Sequence, residues 1–302
     1  MLAAGTGCAH ARSGPPLAVG PAGGLARSTA SHVAVVVMEN EEGDEVLGSR
    51  SAPYVNALAR RYGVATSSYA ITHPSLPNYL ALTSGTTAGV ESDCTSCHVG
   101  ARSIVDQLEA AGISWKAYLE GVPGRCFEGA GAGGYAKKHN PFIYYDDIAR
   151  SPARCARLVG FGALASDLRH GRLPTFVWIT PNLCDDGHDC SLATADRFLA
   201  RTLPPVLRQL GPHGFLVLTW DEGTSDSGCC GVAAGGRVAT IVAGPDVRRG
   251  ASQSAPVDHY GVLGTIEQAL GLAPLAGAAD PRSGRLTGLF LRTPRLAGGR
   301  GR

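Results

Sequence analysis

Oxygen-bearing side chains recur where strand-like runs end. Glu39 and Asn40 follow His32–Met38 (HVAVVVM), and Asp221 and Glu222 follow Phe215–Trp220 (FLVLTW). A third run, Thr175–Ile179 (TFVWI), leads into an Asn-, Asp- and His-bearing segment from Pro181 to Asp189. Oxygen-only donor sets suit hard cations such as Mg2+, Ca2+ or Mn2+ better than zinc. An acidic cluster at one rim repels itself unless a cation or an arginine fills it. Pairing with arginine is the competing use, since only three of the 27 basic residues are lysines.

Thr72-His73-Pro74-Ser75-Leu76-Pro77-Asn78-Tyr79 sets a serine at the mouth of a helix, with Pro77 in its first turn. Serine is a common N-cap there. The start of a helix also favours anions, and its free N–H groups can hold a phosphate. A hydroxyl in that place, bound to a cation that lowers its pKa, is a nucleophile. No Gly-x-Ser-x-Gly elbow and no P-loop competes with it. His73, His139, His188 and His259 fall in loops near the same rim and are candidates for proton transfer. A lone loop histidine is more often inert.

These groups need a scaffold that gathers strand ends. The three runs above, Ser114–Leu119 and Val238–Ala243 read as strands. Ser51–Tyr62, a segment through Leu76, Leu80 and Thr83, Ser103–Ala111, Ala193–Leu210 and Val262–Leu270 read as helices, several of them stopped by glycine. Alternation of strands and helices predicts an α/β three-layer sandwich around a mainly parallel sheet, with ligands outside the strands' carboxyl ends.

The chain has 302 residues and a net charge of +2, so no strong pull toward nucleic acid is expected. No apolar run is long enough to span a bilayer. Nine cysteines favour an oxidising, extracytoplasmic compartment. Setting Cys8 aside, Cys94/Cys97, Cys184/Cys190 and Cys229/Cys230 are close in sequence, and Cys126 and Cys155 are the natural fourth pair. Spacing alone leaves the connectivity open. The expected organisation is a leader over 1–30, one domain over 31–275 and a flexible Gly/Arg-rich tail over 276–302.

Taken together, Met38-Glu39-Asn40, His73 through Tyr79, Lys138-His139-Asn140-Pro141-Phe142, Pro181-Asn182 through His188-Asp189, Thr219 through Glu222 and Asp258-His259-Tyr260 resemble the phosphoesterase family. That family holds bacterial acid phosphatases and phospholipases C within the alkaline phosphatase superfamily. The resemblance runs from about residue 32 to 272 and is nearest to short secreted acid phosphatases, some acting on phosphatidylinositol 3-phosphate. It implies one divalent ion, with Mg, Ca, Mn or Fe favoured over Zn, held by Glu39, Asn40, Asp221 and Glu222. Ser75 would be both ligand and nucleophile. His139, His188 and Asp189 match pocket-lining positions, and His73, Asn78 and His259 match motif positions expected near substrate.

The implied reaction is hydrolysis of a small-molecule or lipid phosphate monoester through a phosphoserine, with protonated His188 or His139 serving the leaving group. A phospholipase C or other phosphodiesterase is the nearest alternative. A non-catalytic secreted binding protein on the same fold is the alternative of another class. Oligomeric state is not legible. The family's usual Asp-Met-His-Asp reads Asp186-Gly187-His188-Asp189 here, flanked by Cys184 and Cys190.

Overall fold

Val33–Met38 forms the first strand (β1), and all of it is buried. Val33, Val35 and Val37 enter one apolar cluster, while Ala34, Val36 and Met38 enter another. A strand buried on both faces needs covering layers on both sides. The computed structural model of the chain, which describes residues 28–296, has that arrangement.

The further strands of the main sheet are β2 (Gly63–Tyr69), β3 (Trp115–Leu119), β4 (Leu158–Val159), β5 (Phe176–Thr180), β6 (Phe215–Trp220), β7 (Arg237–Ala243), β8 (Ser252–Gln253) and β9 (Val257–Asp258). Their order is β8–β2–β7–β6–β1–β5–β3–β4, with β9 also pairing with β2. Pairs are parallel except those made by β7, which runs antiparallel to β2 and β6. The longer helices are α1 (Pro53–Arg61), α2 (Ser75–Ser84), α3 (Ile104–Ala110), α4 (Phe161–His170), α5 (Leu192–Arg208) and α6 (His259–Leu270). Apolar residues of α2, α3 and α6 join the cluster on one face, and those of α1, α4 and α5 join the cluster on the other. The expected α/β sandwich is therefore the fold.

Three features depart from the sequence reading. β2 reads GVATSSY, too small and polar to announce a strand, yet its main chain pairs with β7, β8 and β9. Helix α4 also went unpredicted; it buries Leu164, Ala165 and Leu168 at helical spacing. Finally, the segment after Ala276 does not fray within the described residues. It forms 3-10 turns at Ala276–Ala279, Pro281–Ser283 and Leu286–Leu289, and Ala278, Leu286, Leu289 and Phe290 are buried. The Leu286 N–H donates to Thr265 Oγ1 of α6 at 2.9 Å, so this segment is part of the core's closure. The expected leader lies, but for its last residues, outside the described residues, as does the end of the tail.

One buried acid in this scaffold sets a pH response. Glu267 of α6 is fully buried, and its Oε1 accepts the Leu275 N–H at 2.9 Å. Burial pushes its pKa from 4.5 up to about 7, against the pull of that N–H. A carboxyl raised on folding contributes stability that is complete below its unfolded pKa and is lost as pH rises through the folded value. Urea melts should show Glu267→Gln losing less stability than the parent between pH 5 and pH 8. Equal losses in the two proteins would refute this.

Candidate active site

Strand register brings the acids together. Met38 of β1 pairs with Trp220 of β6, and the Asp221 N–H donates to the Met38 carbonyl at 2.9 Å. Residues leaving the two strands therefore emerge side by side. Asn40 turns on left-handed backbone (φ +53°), which asparagine tolerates better than most residues. Its N–H donates to Asp221 Oδ1 at 3.2 Å. Ser75 is the first residue of α2 and is buried. Its hydroxyl lies 3.2 Å from Glu39 Oε2 and 3.3 Å from Glu222 Oε1. The serine and the acids expected around it thus meet, although they are far apart along the chain.

Their electrostatics point to an uncompensated negative charge. Glu39 is fully buried, accepts the Tyr79 hydroxyl at 2.5 Å, and sits 3.2 Å from His139 Nε2. Burial, then the charges of Asp221 and Asp186, push the Glu39 pKa well above the usual carboxylate range. Burial and the neighbouring Glu222 push Asp221 up to about 6. Burial raises Glu222 as well, against the pull of His73. Asp221 Oδ2 and His139 Nε2 are buried with no hydrogen-bond partner. Buried polar atoms are nearly always satisfied, so two bare atoms beside an acid cluster suit a cation. Among the described residues, Glu39, His139 and His188 have ligand atoms within 4.8 Å of one another, and the Ser75 hydroxyl bridges the Glu39 and Glu222 carboxylates beside them.

The histidines differ in what holds them. His139 stacks on Tyr79 (centroids 5.4 Å apart, 12° between planes), and its Nδ1 is 3.1 Å from Asp186 Oδ2. Burial pushes its pKa down to about 3, so the neutral ring donates from Nδ1 to Asp186. His188 Nδ1 donates to Asp189 Oδ1 at 2.7 Å, while Nε2 faces the Lys138 ammonium at 3.2 Å and must accept from it. His139 is therefore not held as the proton-charged group expected of it. His73 is: Nδ1 is 2.5 Å from Glu222 Oε2 and Nε2 is 3.1 Å from the Ser225 carbonyl, so both nitrogens carry hydrogens. Burial alone would lower its pKa, but the Ser225 carbonyl and Glu222 outweigh that and the net shift is upward.

Three expected site residues act from behind. The Asn78 carbonyl oxygen accepts the Ile71 and Thr72 N–H groups, and its amide donates to the Thr72 and Pro74 carbonyls. All four of its hydrogen-bonding positions are filled by backbone, so it braces the turn before Ser75 and has none left for substrate. His259 is fully buried with Nε2 2.6 Å from the Asp221 carbonyl, which fixes the end of β6 from below. Burial holds its pKa down at about 4. Asp189, with a side chain 44% exposed, orients His188 through the bond given above.

Residues without an assigned role in the sequence reading also belong here. Buried Asp186 orients His139, Tyr79 caps Glu39, and Lys138 is joined to Asp93 at 2.9 Å. Asp186 and Lys138 stood inside quoted motifs; Asp93 had no signal beyond its place before Cys94. Gly187 takes φ +100°, a conformation that favours glycine, inside the ring closed by Cys184 and Cys190. The Cys94–Cys97, Cys126–Cys155 and Cys229–Cys230 bridges are also present.

A family model described as the phosphoesterase family matches residues 45–273. A phosphatidylinositol-3-phosphatase of Mycobacterium tuberculosis is 34% identical over 264 residues, covering 86% of this chain and 84% of that protein. A probable acid phosphatase of Kluyveromyces lactis is 31% identical over 246 residues, covering 77% of this chain and 56% of that protein. The chain spans about half the length of such fungal relatives; for the acid phosphatase of Aspergillus fumigatus the figure is 50%. Among solved structures, a Vibrio parahaemolyticus protein of the alkaline phosphatase superfamily aligns with TM-score 0.57 at 13% identity, covering 91% of this chain and 72% of that one. The lipoteichoic acid synthase LtaP of Listeria monocytogenes aligns with TM-score 0.58 at 10% identity, covering 87% and 80%. At these identities the likeness is one of fold.

The bracing role of Asn78 has a measurable consequence. Asn78→Ala would strand four buried or half-buried backbone groups, each unsatisfied group costing about 1–3 kcal/mol. Chemical denaturation should show a loss of at least about 2 kcal/mol. A variant with parental stability and raised KM alone would restore the substrate-contact role.

Proposed function

Because the chain belongs to the phosphoesterase family, we propose that it is a phosphomonoester hydrolase that works through a phosphoserine on Ser75. The observation that carries this reading is the Ser75 hydroxyl at the start of α2, set between the Glu39 and Glu222 carboxylates with Asp221 Oδ2 bare beside them. A structural N-cap needs no acids around it; a nucleophile that shares a cation does.

Glu39, Asn40, Ser75, Asp221 and Glu222 would hold that divalent ion. The alternative group through His188 is the poorer fit, because a metal on Nε2 would displace or face the Lys138 ammonium. When bound, the ion supplies Lewis-acid polarisation of a phosphoryl oxygen and stabilises the Ser75 alkoxide. The protein's own groups do the rest. Ser75 Oγ attacks phosphorus in line as its proton passes to a neighbouring carboxylate, the P–O ester bond breaks, and the departing alkoxide takes up that proton from the carboxyl and leaves as alcohol. Water then attacks the phosphoserine, releasing inorganic phosphate and returning the serine hydroxyl. His73, held by Glu222 and Ser225, is the charged ring nearest this centre. Lipid phosphates such as phosphatidylinositol 3-phosphate belong to the substrate class because the Mycobacterium tuberculosis relative bears that activity in its name and is matched over most of both chains.

Four disulfides support an oxidising, extracytoplasmic location. Among the described residues no helix is long and apolar enough to cross a membrane.

Ser75→Ala should lower p-nitrophenyl phosphate turnover by about 1,000-fold or more with its melting temperature retained. Acid-quenched parent protein should carry a phosphoryl group on Ser75 by mass spectrometry, and near-parental turnover by the variant would sink the nucleophile assignment. Asp221→Ala should lose both bound metal, read by elemental mass spectrometry, and activity. A fully metallated, active variant would contradict the ligand set.

A further inference from the structure

Lys138 lies beside this site, against His188, without a part in the steps above. Its ammonium donates to Asp93 Oδ2 at 2.9 Å and to His188 Nε2 at 3.2 Å. The other carboxylate oxygen, Asp93 Oδ1, accepts the N–H of Leu76 at 3.0 Å, the residue directly after Ser75. One carboxylate thus links the first turn of α2 to the ammonium. The Lys138 and Asp93 side chains are 22% and 27% exposed, so the pair is only partly buried.

The site needs such a cation. A phosphate monoester carries up to two negative charges toward Glu39, Asp186, Asp221 and Glu222, all buried. The ion pairs of Glu39, Asp186, Asp189 and Glu222 are with histidines, whose charge depends on a proton. Lys138 brings a permanent charge, and its field reaches Glu39, Asp186 and Asp221. A single metal ion does not balance four carboxylates and an incoming dianion.

We propose that Lys138 binds the non-bridging oxygens of the phosphoryl group, and that Asp93 is a positioning residue that ties this ammonium to the helix bearing Ser75. The proposal rests on the phosphomonoesterase reading of the same site. Asp93 has a plainer possible use as a cap, since Pro74 offers α2 no side-chain cap. Asparagine caps helices about as well as aspartate. Asp93→Asn therefore keeps a cap and removes the charge that holds Lys138.

The test is steady-state hydrolysis of p-nitrophenyl phosphate with inorganic phosphate as competitor, with metal content and melting temperature measured on each full-length variant. Lys138→Met should raise KM and the phosphate inhibition constant about 10-fold or more and lower kcat/KM by about 100-fold or more, with metal content retained. Asp93→Asn should raise both constants about 3- to 10-fold and leave kcat within about 2-fold. The double variant should match Lys138→Met alone, because the tether acts only through the lysine. Parental phosphate inhibition in Lys138→Met overturns the binding role. Unchanged constants in Asp93→Asn, or additive effects in the double variant, overturn the tether. If the metallated parent does not hydrolyse the ester, the phosphomonoesterase reading falls instead. Calorimetric titration of phosphate into parent and Lys138→Met then still decides the lysine's role: weaker binding by the variant upholds it and equal binding removes it.

Discussion

A hydroxyl wedged between carboxylates is the constraint on which this structure turns. Glu39 and Glu222 each stand about one hydrogen-bond length from Ser75 Oγ, and Asp221 adds a buried oxygen without a donor. Burial raises the pKa of all three acids, and neighbouring carboxylates add to it, so the cluster resists its own ionisation. No arrangement of hydrogen bonds among these groups removes that cost, because each is an acceptor when charged. The site is complete only with positive charge, and much of the surrounding architecture reads as ways to deliver it and hold the acids still.

The sheet does the holding. Parallel pairing of β1 with β6 puts Glu39 and Asp221 at adjacent strand ends, and the backbone bond from Asp221 to Met38 fixes their separation. His259 grips the Asp221 carbonyl from α6, and Asn78 grips the turn before Ser75 from α2. Both are buried polar side chains whose partners are backbone atoms, which is the cheapest way to rigidify a loop beside a charged site. Precision at the serine therefore comes from residues that never meet substrate.

Much of this was legible in the sequence, and the failures have physical reasons. The β-branched run before Glu39 and the apolar run before Asp221 announced buried strands, and strand ends in such folds face the ligand. Ser75 was legible as a helix start. What chemical type could not reveal was direction: Asn78 and His259 are as polar as Ser75, but their side chains face backbone behind the site. Charge was the second blind spot, since a histidine in a motif looks protonatable until burial and its partners are known, as with His139 against His73. Strand β2 failed because its stability comes from main-chain pairing and not from its small side chains. The tail after Ala276 failed because a few buried residues, Leu286 and Leu289 among them, outweigh a Gly- and Arg-rich composition.

The disulfides sharpen the division between scaffold and loops. Loop-closure stabilisation grows with the logarithm of the number of residues enclosed. Bridges spanning 3, 6 and 1 residues therefore restrict the unfolded chain little, whereas Cys126–Cys155, spanning 29, restricts it more. The three short ones must act on local geometry, and each lies where the site needs it. Cys94 adjoins Asp93, Cys184–Cys190 encloses Asp186 and His188, and Cys229–Cys230 sits in the loop whose Ser225 carbonyl receives His73. Glu42 anchors that last loop again by accepting the Ser225 and Arg237 N–H groups. Strand ends thus supply the acids, while cross-linked loops supply or orient the histidines and the lysine tether. Groups carried on loops lose the rigidity that a sheet gives for nothing, and small covalent rings restore it at those positions.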